Sequence, residues 1–326
     1  MRILVTGGAG FIGSHTVLRL AELGHDCVVV DNLGNGHADA VLHGRLEVFD
    51  VRDAERLTTL MRNERIDGVI HFAAFIEAGA SVKEPLRFWD NNFGGTLAVL
   101  QAMRQSGVQC LVYSSTAALF GNPERLPIEE DDPARPTNPY GDTKLAGEAM
   151  IAAAAAAFGL RAVCLRYFNA AGADPEGRLG ERHDPETHLI PLALAAASGS
   201  GPGLTLFGTD YPTPDGTCIR DYIHVADLAD AHVKAMDHLA GGGVSRAFNL
   251  GCGHGWSVRQ VIAAVEEVTG RAVPLTIGPR RPGDPVALVA SNRRATLELG
   301  WVPRYPGLAE MVAHAWKFQG DFRSRR

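Results

Sequence analysis

Tyr140 and Lys144 stand four residues apart in the run Pro139-Tyr140-Gly141-Asp142-Thr143-Lys144. On a helix that spacing puts both side chains on one face. A phenol ordinarily keeps its proton to about pH 10. A neighbouring ammonium favours the phenolate and makes the tyrosine a usable general base near neutrality. A strand-like run at 109–115 leads into Ser114-Ser115-Thr116. The Thr116 hydroxyl can share a hydrogen bond with the oxygen that gives up its proton. Tyr-x-x-x-Lys also arises on exposed helix faces, so its meaning depends on its surroundings.

The surroundings are set by the first 31 residues. Arg2–Thr6 is a short apolar run, followed by Gly7-Gly8-Ala9-Gly10-Phe11-Ile12-Gly13 and a helical pattern through Leu23. A second apolar run, Cys27–Val30, ends on Asp31. Strand, glycine turn, helix, strand and acid form the arrangement that seats a pyrophosphate at a helix N-terminus. Asp31 can hydrogen-bond a ribose diol and would repel a 2′-phosphate, and Asn32 and Leu33 add no positive charge. The expected cofactor is therefore NAD rather than NADP. A positive nicotinamide ring would add to the charge that favours the Tyr140 phenolate.

The elements that must position these groups alternate. Strands are expected at 2–6, 27–31, 46–50, 69–73, 109–115 and 161–168, with helices near 11–23, 53–64, 85–105 and 140–158. The pattern predicts an α/β fold, a doubly wound parallel sheet of Rossmann type with helices on both faces. Leu46–Asp50 also ends in an acid, which places Asp50 and Val51 near an adenine. Val69–Ala74 ends in His-Phe-Ala-Ala, small enough at a strand end to admit a dinucleotide. Composition changes after Asn169. Residues 172–188, 198–203 and 208–221 are rich in Gly and Pro and suit ligand-contacting loops. Helices resume near 224–239, 257–269, 292–299 and 307–318. The expected division is an NAD-binding domain over 1–172 and a smaller mixed α/β substrate domain over 173–326, with elements near 215–240 returning to the first. The alanine run 152–157 extends a helix.

The 326 residues can bury a sizeable core. A net charge of −6 with scattered arginines offers no field for nucleic acid. No run is long enough to span a bilayer, and a strand beginning at residue 2 leaves no room for a signal peptide. A cytoplasmic protein is expected. The five cysteines are widely spaced without Cys-x-x-Cys, which argues against a disulfide framework. The twelve histidines show no metal pattern. His183 and His188 come nearest to a cluster and read as surface or substrate-loop histidines, so no metal is expected.

The glycine spacing resembles that of the extended short-chain dehydrogenase/reductase superfamily. Further pieces are more specific: VTGGAGFIGSHT at 5–16, DNL at 31–33, HFAA at 71–74, NPYGDTK at 138–144, LRYFNAAGA at 165–173, FGTDYPTPDGTCIRDYIHVADLADAH at 207–232 and PRRPGD at 279–284. With these the chain resembles the UDP-glucose 4-epimerases (UDP-galactose 4-epimerases) from residue 2 to beyond 300. The resemblance implies an isomerase of galactose metabolism that interconverts UDP-glucose and UDP-galactose by transient oxidation at sugar C4. It implies Thr116, Tyr140 and Lys144 as the catalytic set. Gly7, Gly10, Phe11, Ile12, Asp31, Asn32, Asp50, Val51, Phe72, Ala73, Asn91 and Phe168, with Tyr140 and Lys144, would line NAD. Asn169, Arg220 and Arg281 would hold the diphosphate and Asp284 the uridine ribose. Two guanidinium forks suit a pyrophosphate.

Relatives with the same Tyr/Lys pair bound the reading. Sugar-nucleotide 4,6-dehydratases carry Thr-Asp-Glu where this chain has Thr116-Ala117-Ala118, and alanines cannot move the protons that dehydration requires. UDP-glucuronate decarboxylases tend to carry a glutamate at the position of Ala118. A UDP-glucuronate or UDP-pentose 4-epimerase or decarboxylase and a non-catalytic NAD sensor are the remaining alternatives. Two departures from the best-known epimerases stand out. Ile76 replaces a lysine that some members place near the cofactor phosphates. Leu288 replaces a tyrosine beside the sugar 2-substituent, which opens the pocket toward UDP-N-acetylglucosamine and UDP-N-acetylgalactosamine. Helices 85–105 and 140–158 resemble the pair that forms a dimer interface in this family, so a homodimer is expected.

Overall fold

The computed structural model describes residues 1–281 and 284–324. Pro282 and Gly283, within the PRRPGD run, lie outside the described residues. Among the described residues the central feature is a seven-stranded sheet. Its strands are β1 (Arg2–Thr6), β2 (Asp26–Asp31), β3 (Arg45–Val48), β4 (Gly68–His71), β5 (Cys110–Ser114) and β6 (Arg161–Tyr167), with a seventh from the C-terminal half. The segments Asn169–Ala171, Leu204–Phe207, Ile219–Arg220 and Tyr222–His224 form β7 to β10. The seventh sheet strand is β11 (Arg246–Leu250), and β12 (Trp256–Ser257), β13 (Leu275–Gly278) and β14 (Ala287–Leu288) follow. The order across the sheet is β11-β6-β5-β4-β1-β2-β3, and every pairing is parallel.

A parallel sheet covered on both faces needs strands that are apolar at every position. Successive side chains then feed opposite cores. In β1, Ile3 and Val5 join one core while Leu4 joins the other. In β5, Cys110 and Val112 face the first and Leu111 and Tyr113 the second. The first face is covered by α1 (Phe11–Glu22) and α8 (Val225–Ala240), and the second by α2 (Ala54–Asn63), α5 (Gly94–Ser106) and α6 (Pro139–Phe158). A third core gathers α7 (Leu189–Ser198), α9 (Val258–Thr269) and α11 (Leu308–Ser324) with Ala171, Leu204 and Tyr222. Short α10 (Arg293–Leu299) packs against β11. Both α8 and β11 thus come from the C-terminal half and rest on the nucleotide-type sheet.

Three local details depart from the periodicity. The helix expected over 85–105 is interrupted. After α3 (Ala78–Lys83) and α4 (Pro85–Phe88), residues Trp89–Phe93 form a π-helical turn before α5. Inside that turn the Asn92 amide bonds both backbone groups of Phe75, at 2.8 and 3.0 Å. It also donates to the Thr143 hydroxyl at 3.2 Å, so a loop contact sets the break. The strand expected over 161–168 ends at Tyr167, because Asn169–Ala171 leaves the main sheet to pair with β10. The third strand stops at Val48 and leaves Asp50 and Val51 in the turn that follows.

Asp221 ties together three segments of the C-terminal half. It is fully buried, and its carboxylate accepts from the amides of Cys252 (2.9 Å) and Ala290 (3.2 Å). Burial pushes its carboxyl up to about 7, against those hydrogen bonds. All five cysteines are free.

Candidate active site

The strand order reverses between β1 and β4, and the crevice beyond their carboxyl ends is where such sheets bind ligands. The chain closes there very tightly. The Thr6 carbonyl accepts from the amides of Phe72 (2.9 Å) and Ala73 (3.1 Å). Gly7 has φ +72°, and a Cβ on it would lie 2.6 Å from the Ala73 nitrogen. A Cβ on Gly13 would lie 2.2 Å from the Gly7 carbonyl oxygen. Only glycine permits this approach of turn, helix and neighbouring strand. Helix α1 begins after Gly10 with no side-chain cap. Its first amides, in Phe11 and Ile12, therefore remain available to an anion.

Asp31 closes β2 on the adenosine side. One of its oxygens accepts from Ala9 N at 3.0 Å and the other from Leu33 N at 2.8 Å. Burial raises its carboxyl above the usual range, against those two bonds. Asn32 is exposed beside it, and Gly34 N donates to its side chain. Asp50 is pulled down to about 2 by hydrogen bonds from Arg52, which also pairs with Asp90. Val51 is buried against the second core. Ile76 is 40% exposed. The glycine cradle, the uncapped helix and Asp31 fit a dinucleotide, and no basic group takes the place of the acid at the end of β2.

At the other end of the crevice, β5 delivers Ser114, Ser115 and Thr116, all buried. Asn138 caps α6 by accepting from Gly141 N at 2.9 Å, with Pro139 in the first turn. That cap fixes the helix start and hence the azimuth of Tyr140. The Thr116 side chain acts on the Tyr140 phenol and draws it down, against burial. Thr116 Oγ1 also accepts from Ala118 N at 3.1 Å. Lys144 Nζ donates to the Ser114 carbonyl at 2.8 Å and lies 5.0 Å above the Tyr113 ring. The side chain is 3% exposed, and burial draws its amine down to about 7, while Glu148 opposes the shift.

Burial raises the Tyr140 phenol above its usual value, and the Thr116 side chain draws it down. The Lys144 amine meets the Ser114 carbonyl.

The expected nucleotide groups fall into two sets. Asn169 donates to the Asp221 carbonyl at 3.1 Å. In β9, Arg220 pairs with Asp284 and donates to the Ile219 carbonyl. Leu288 in β14 is the register partner of Arg220. Leu288 also packs with Phe168, Ala117, Phe120 and Ile128, close to Thr116. This joins the Arg220 subsite to the Tyr140 end. Arg281 is exposed and stacks on the Phe207 ring at 4.2 Å, while its carbonyl accepts from the Asp284 amide at 3.2 Å. Asn91 sits in the π turn and donates to the Asn92 side chain. Phe72 lies 4.5 Å from the buried His232 ring.

Two features were not read from the sequence. Glu148, one turn beyond Lys144, accepts from Ser115 Oγ at 2.5 Å and from Arg166 at 2.5 and 2.9 Å. This nearly buried cluster ties α6 to the ends of β5 and β6. The i+4 spacing from Lys144 was its only signal. Glu181, His183, Glu186 and His188 also converge. They lie in the loop before α7, where the side chains of His188, His183 and Glu181 are 40%, 18% and 6% exposed.

The family described as NAD dependent epimerase/dehydratase matches residues 3–251. A UDP-glucose 4-epimerase of Halalkalibacterium halodurans is 53% identical over 98% of this chain and 96% of its own length. A UDP-glucose 4-epimerase from Brucella ovis, solved in complex with NAD, superposes with a TM-score of 0.95 at 50% identity, covering 97% of each chain. One from Stenotrophomonas maltophila, with bound NAD and formylated UDP-arabinopyranose, gives 0.96 at 41% identity over the whole of both chains. The chain belongs to the NAD dependent epimerase/dehydratase family, among its UDP-glucose 4-epimerases.

Proposed function

We propose that this chain is an NAD-dependent isomerase that interconverts UDP-glucose and UDP-galactose. The observation that carries the reading is Tyr140 at the start of α6 beside buried Lys144 and the Thr116 strand end, set across one crevice from the Gly7 cradle. Gly7, Gly10, Phe11 and Ile12 would hold the pyrophosphate of NAD, Asp31 and Asn32 its ribose, and Asp50 and Val51 its adenine. Phe72, Ala73, Asn91 and Phe168 would line the rest, with Tyr140 and Lys144 at the reacting end. Bound NAD supplies a reversible hydride acceptor for sugar C4 and a positive ring charge. Tyr140 takes the proton of the 4-hydroxyl and returns it after the sugar has presented its other face. Thr116 holds the oxygen, and Lys144 contributes charge from beneath. Arg220, Asn169 and Arg281 would grip the diphosphate, and Asp284 the uridine ribose. Arg220 is paired with Asp284, so gripping the diphosphate would redirect its guanidinium.

Dehydration has no acid to use. Ala117 is fully buried, and the Ala118 amide is taken by Thr116. The discriminating experiment is incubation of the purified protein with UDP-galactose and no added NAD, with bound nucleotide released and identified. Appearance of UDP-glucose from protein that carries NAD is the expected result. Bound NAD without conversion of any UDP-sugar would favour a sensor.

Leu288 sets the substrate range in this reading. It is shorter than tyrosine and forms the wall between Arg220 and Phe168. Room beside sugar C2 admits an N-acetyl group, so UDP-N-acetylglucosamine should also turn over. Leu288→Tyr should depress that activity about 10-fold or more and spare UDP-galactose, a steric difference of ordinary size. Equal loss of both, in a variant whose melting temperature is unchanged, would remove Leu288 from the pocket wall.

The same reading gives a homodimer built on α5 and α6. Leu97 is 39% exposed, and Ala149, Ala152, Ala153 and Ala156 form an exposed small-residue face. A two-fold partner would bury it isologously. Light scattering at micromolar concentration should give twice the 34.8 kDa chain mass, and a monomer mass would overturn the assembly. No helix among the described residues is long and apolar enough to cross a membrane.

A further inference from the structure

The loop that leads into α7 carries Glu181, His183, Glu186 and His188, and one ligand atom of each lies within 4.8 Å of all the others. His183 Nδ1 is 3.1 Å from Glu181 Oε1 and 3.6 Å from Glu186 Oε1, and His188 Nδ1 contacts the same Glu181 oxygen. The two imidazole rings stand edge to face, 5.1 Å apart. Tetrahedral zinc, with bonds of about 2.0–2.1 Å to nitrogen or oxygen, needs ligand atoms about 3.3–3.5 Å apart. The four atoms are therefore near the required spacing with small side-chain adjustments.

We propose that Glu181, His183, Glu186 and His188 form a closed, four-coordinate structural site for a divalent transition ion of the zinc class. The donor set is two imidazoles and two carboxylates, which suits zinc better than magnesium or calcium. The ligands are already held in place. Glu186 Oε1 accepts from the amides of Thr187 and His188 at 2.8 and 2.9 Å. Arg182, between the first two ligands, is clamped by Asp39 at 2.7 and 2.9 Å, and its carbonyl meets His37 at 2.7 Å. The Glu181 side chain is 6% exposed, so its carboxylate must be compensated from within the cluster. One divalent ion would neutralise both carboxylates and engage both imidazoles at once.

The position gives the ion a task. The His183 ring packs edge-on against Phe11, centroids 6.5 Å apart, on the first turn of α1. A metal joining positions 181 to 188 would pin this loop across the helix end assigned above to the cofactor pyrophosphate. The ion closes a loop and takes no part in the reaction, since its four positions are all filled by protein.

The test uses the cofactor-containing protein after treatment with a chelator and dialysis. Zinc sulfate is titrated against a chromophoric competitor, and cobalt(II) chloride is added separately to read coordination geometry. The expected result is one equivalent of tightly bound zinc, the intense visible absorption of tetrahedral cobalt, and a raised melting temperature. His183→Gln and His188→Gln, each checked for folding by circular dichroism, should each weaken zinc about 100-fold or more, since changes even in outer-shell partners cost 10–100-fold. Both should also abolish the melting shift. Absence of stoichiometric zinc binding, binding undiminished in both variants, or tighter binding of magnesium than of zinc would overturn the proposal and leave a proton-bridged His–Glu cluster.

Discussion

Tyr140→Phe is expected to reduce turnover of UDP-galactose by about 10²-fold or more while leaving the fold and the bound NAD in place. The substitution removes one oxygen. Thr116 keeps its bond to the Ala118 amide, so no buried group is orphaned. Burial raises the phenol, and Lys144 has its own partner in the Ser114 carbonyl; the positive ring of bound NAD would favour the phenolate. The measurement is kcat and KM together, with nucleotide content determined on the same sample. A fall in kcat at unchanged KM and NAD content is the signature of a lost base. Near-normal turnover would rule out Tyr140 in that role.

Glu148→Ala is expected to destabilise the protein by about 3–5 kcal/mol, the range for leaving one partner of a buried ion pair uncompensated. The side chains of Glu148 and Arg166 are 10% and 12% exposed, with 2.5 Å between charged atoms. Ser115 Oγ donates to the same carboxylate, so the variant orphans a hydroxyl and leaves the Arg166 guanidinium with only the Glu130 carbonyl as acceptor. Urea unfolding of wild type and variant gives the difference. Replacing both members, Glu148→Leu with Arg166→Met, should recover most of the loss, because no unpaired charge then stays buried. A single variant as stable as wild type would show that the pair contributes nothing. A second readout is kinetic. Burial draws the Lys144 amine down to about 7, and Glu148 holds it from falling further. Removing Glu148 lowers the folded-state value, so the ammonium is lost at lower pH. The alkaline limb of the turnover profile should therefore move down the pH scale.

Much of the site was legible as local pattern. The run from Arg2 to Asp31 carries its own geometry: a glycine at positive φ, an uncapped helix start and an acid at a strand end are each dictated within a few residues. The Tyr140–Lys144 spacing was also visible, because helical periodicity fixes which side chains share a face. The helix break at 89–93 was not visible. It depends on Asn92 reaching the Phe75 backbone, a contact 17 residues away. Nor was the partner of Lys144. Spacing places its side chain on the Tyr140 face, but the depth of the pocket sends its nitrogen to Ser114.

The sequence by itself marked six strands of the sheet, the glycine cradle and the candidate reacting groups, since these rest on residue type and spacing within single elements. Tertiary structure alone decided what lies between elements. It set Arg220 against Asp284 and left Arg281 stacked on Phe207. It brought β11 into the main sheet and gathered four scattered Glu and His side chains around one point. Such contacts join residues 60 or more positions apart, as Arg220 and Asp284 are, or depend on how a loop without periodicity closes. No local propensity encodes them. They are fixed when the cores on the two sheet faces and the third core beside them pack together, because close packing leaves each side chain few places to go.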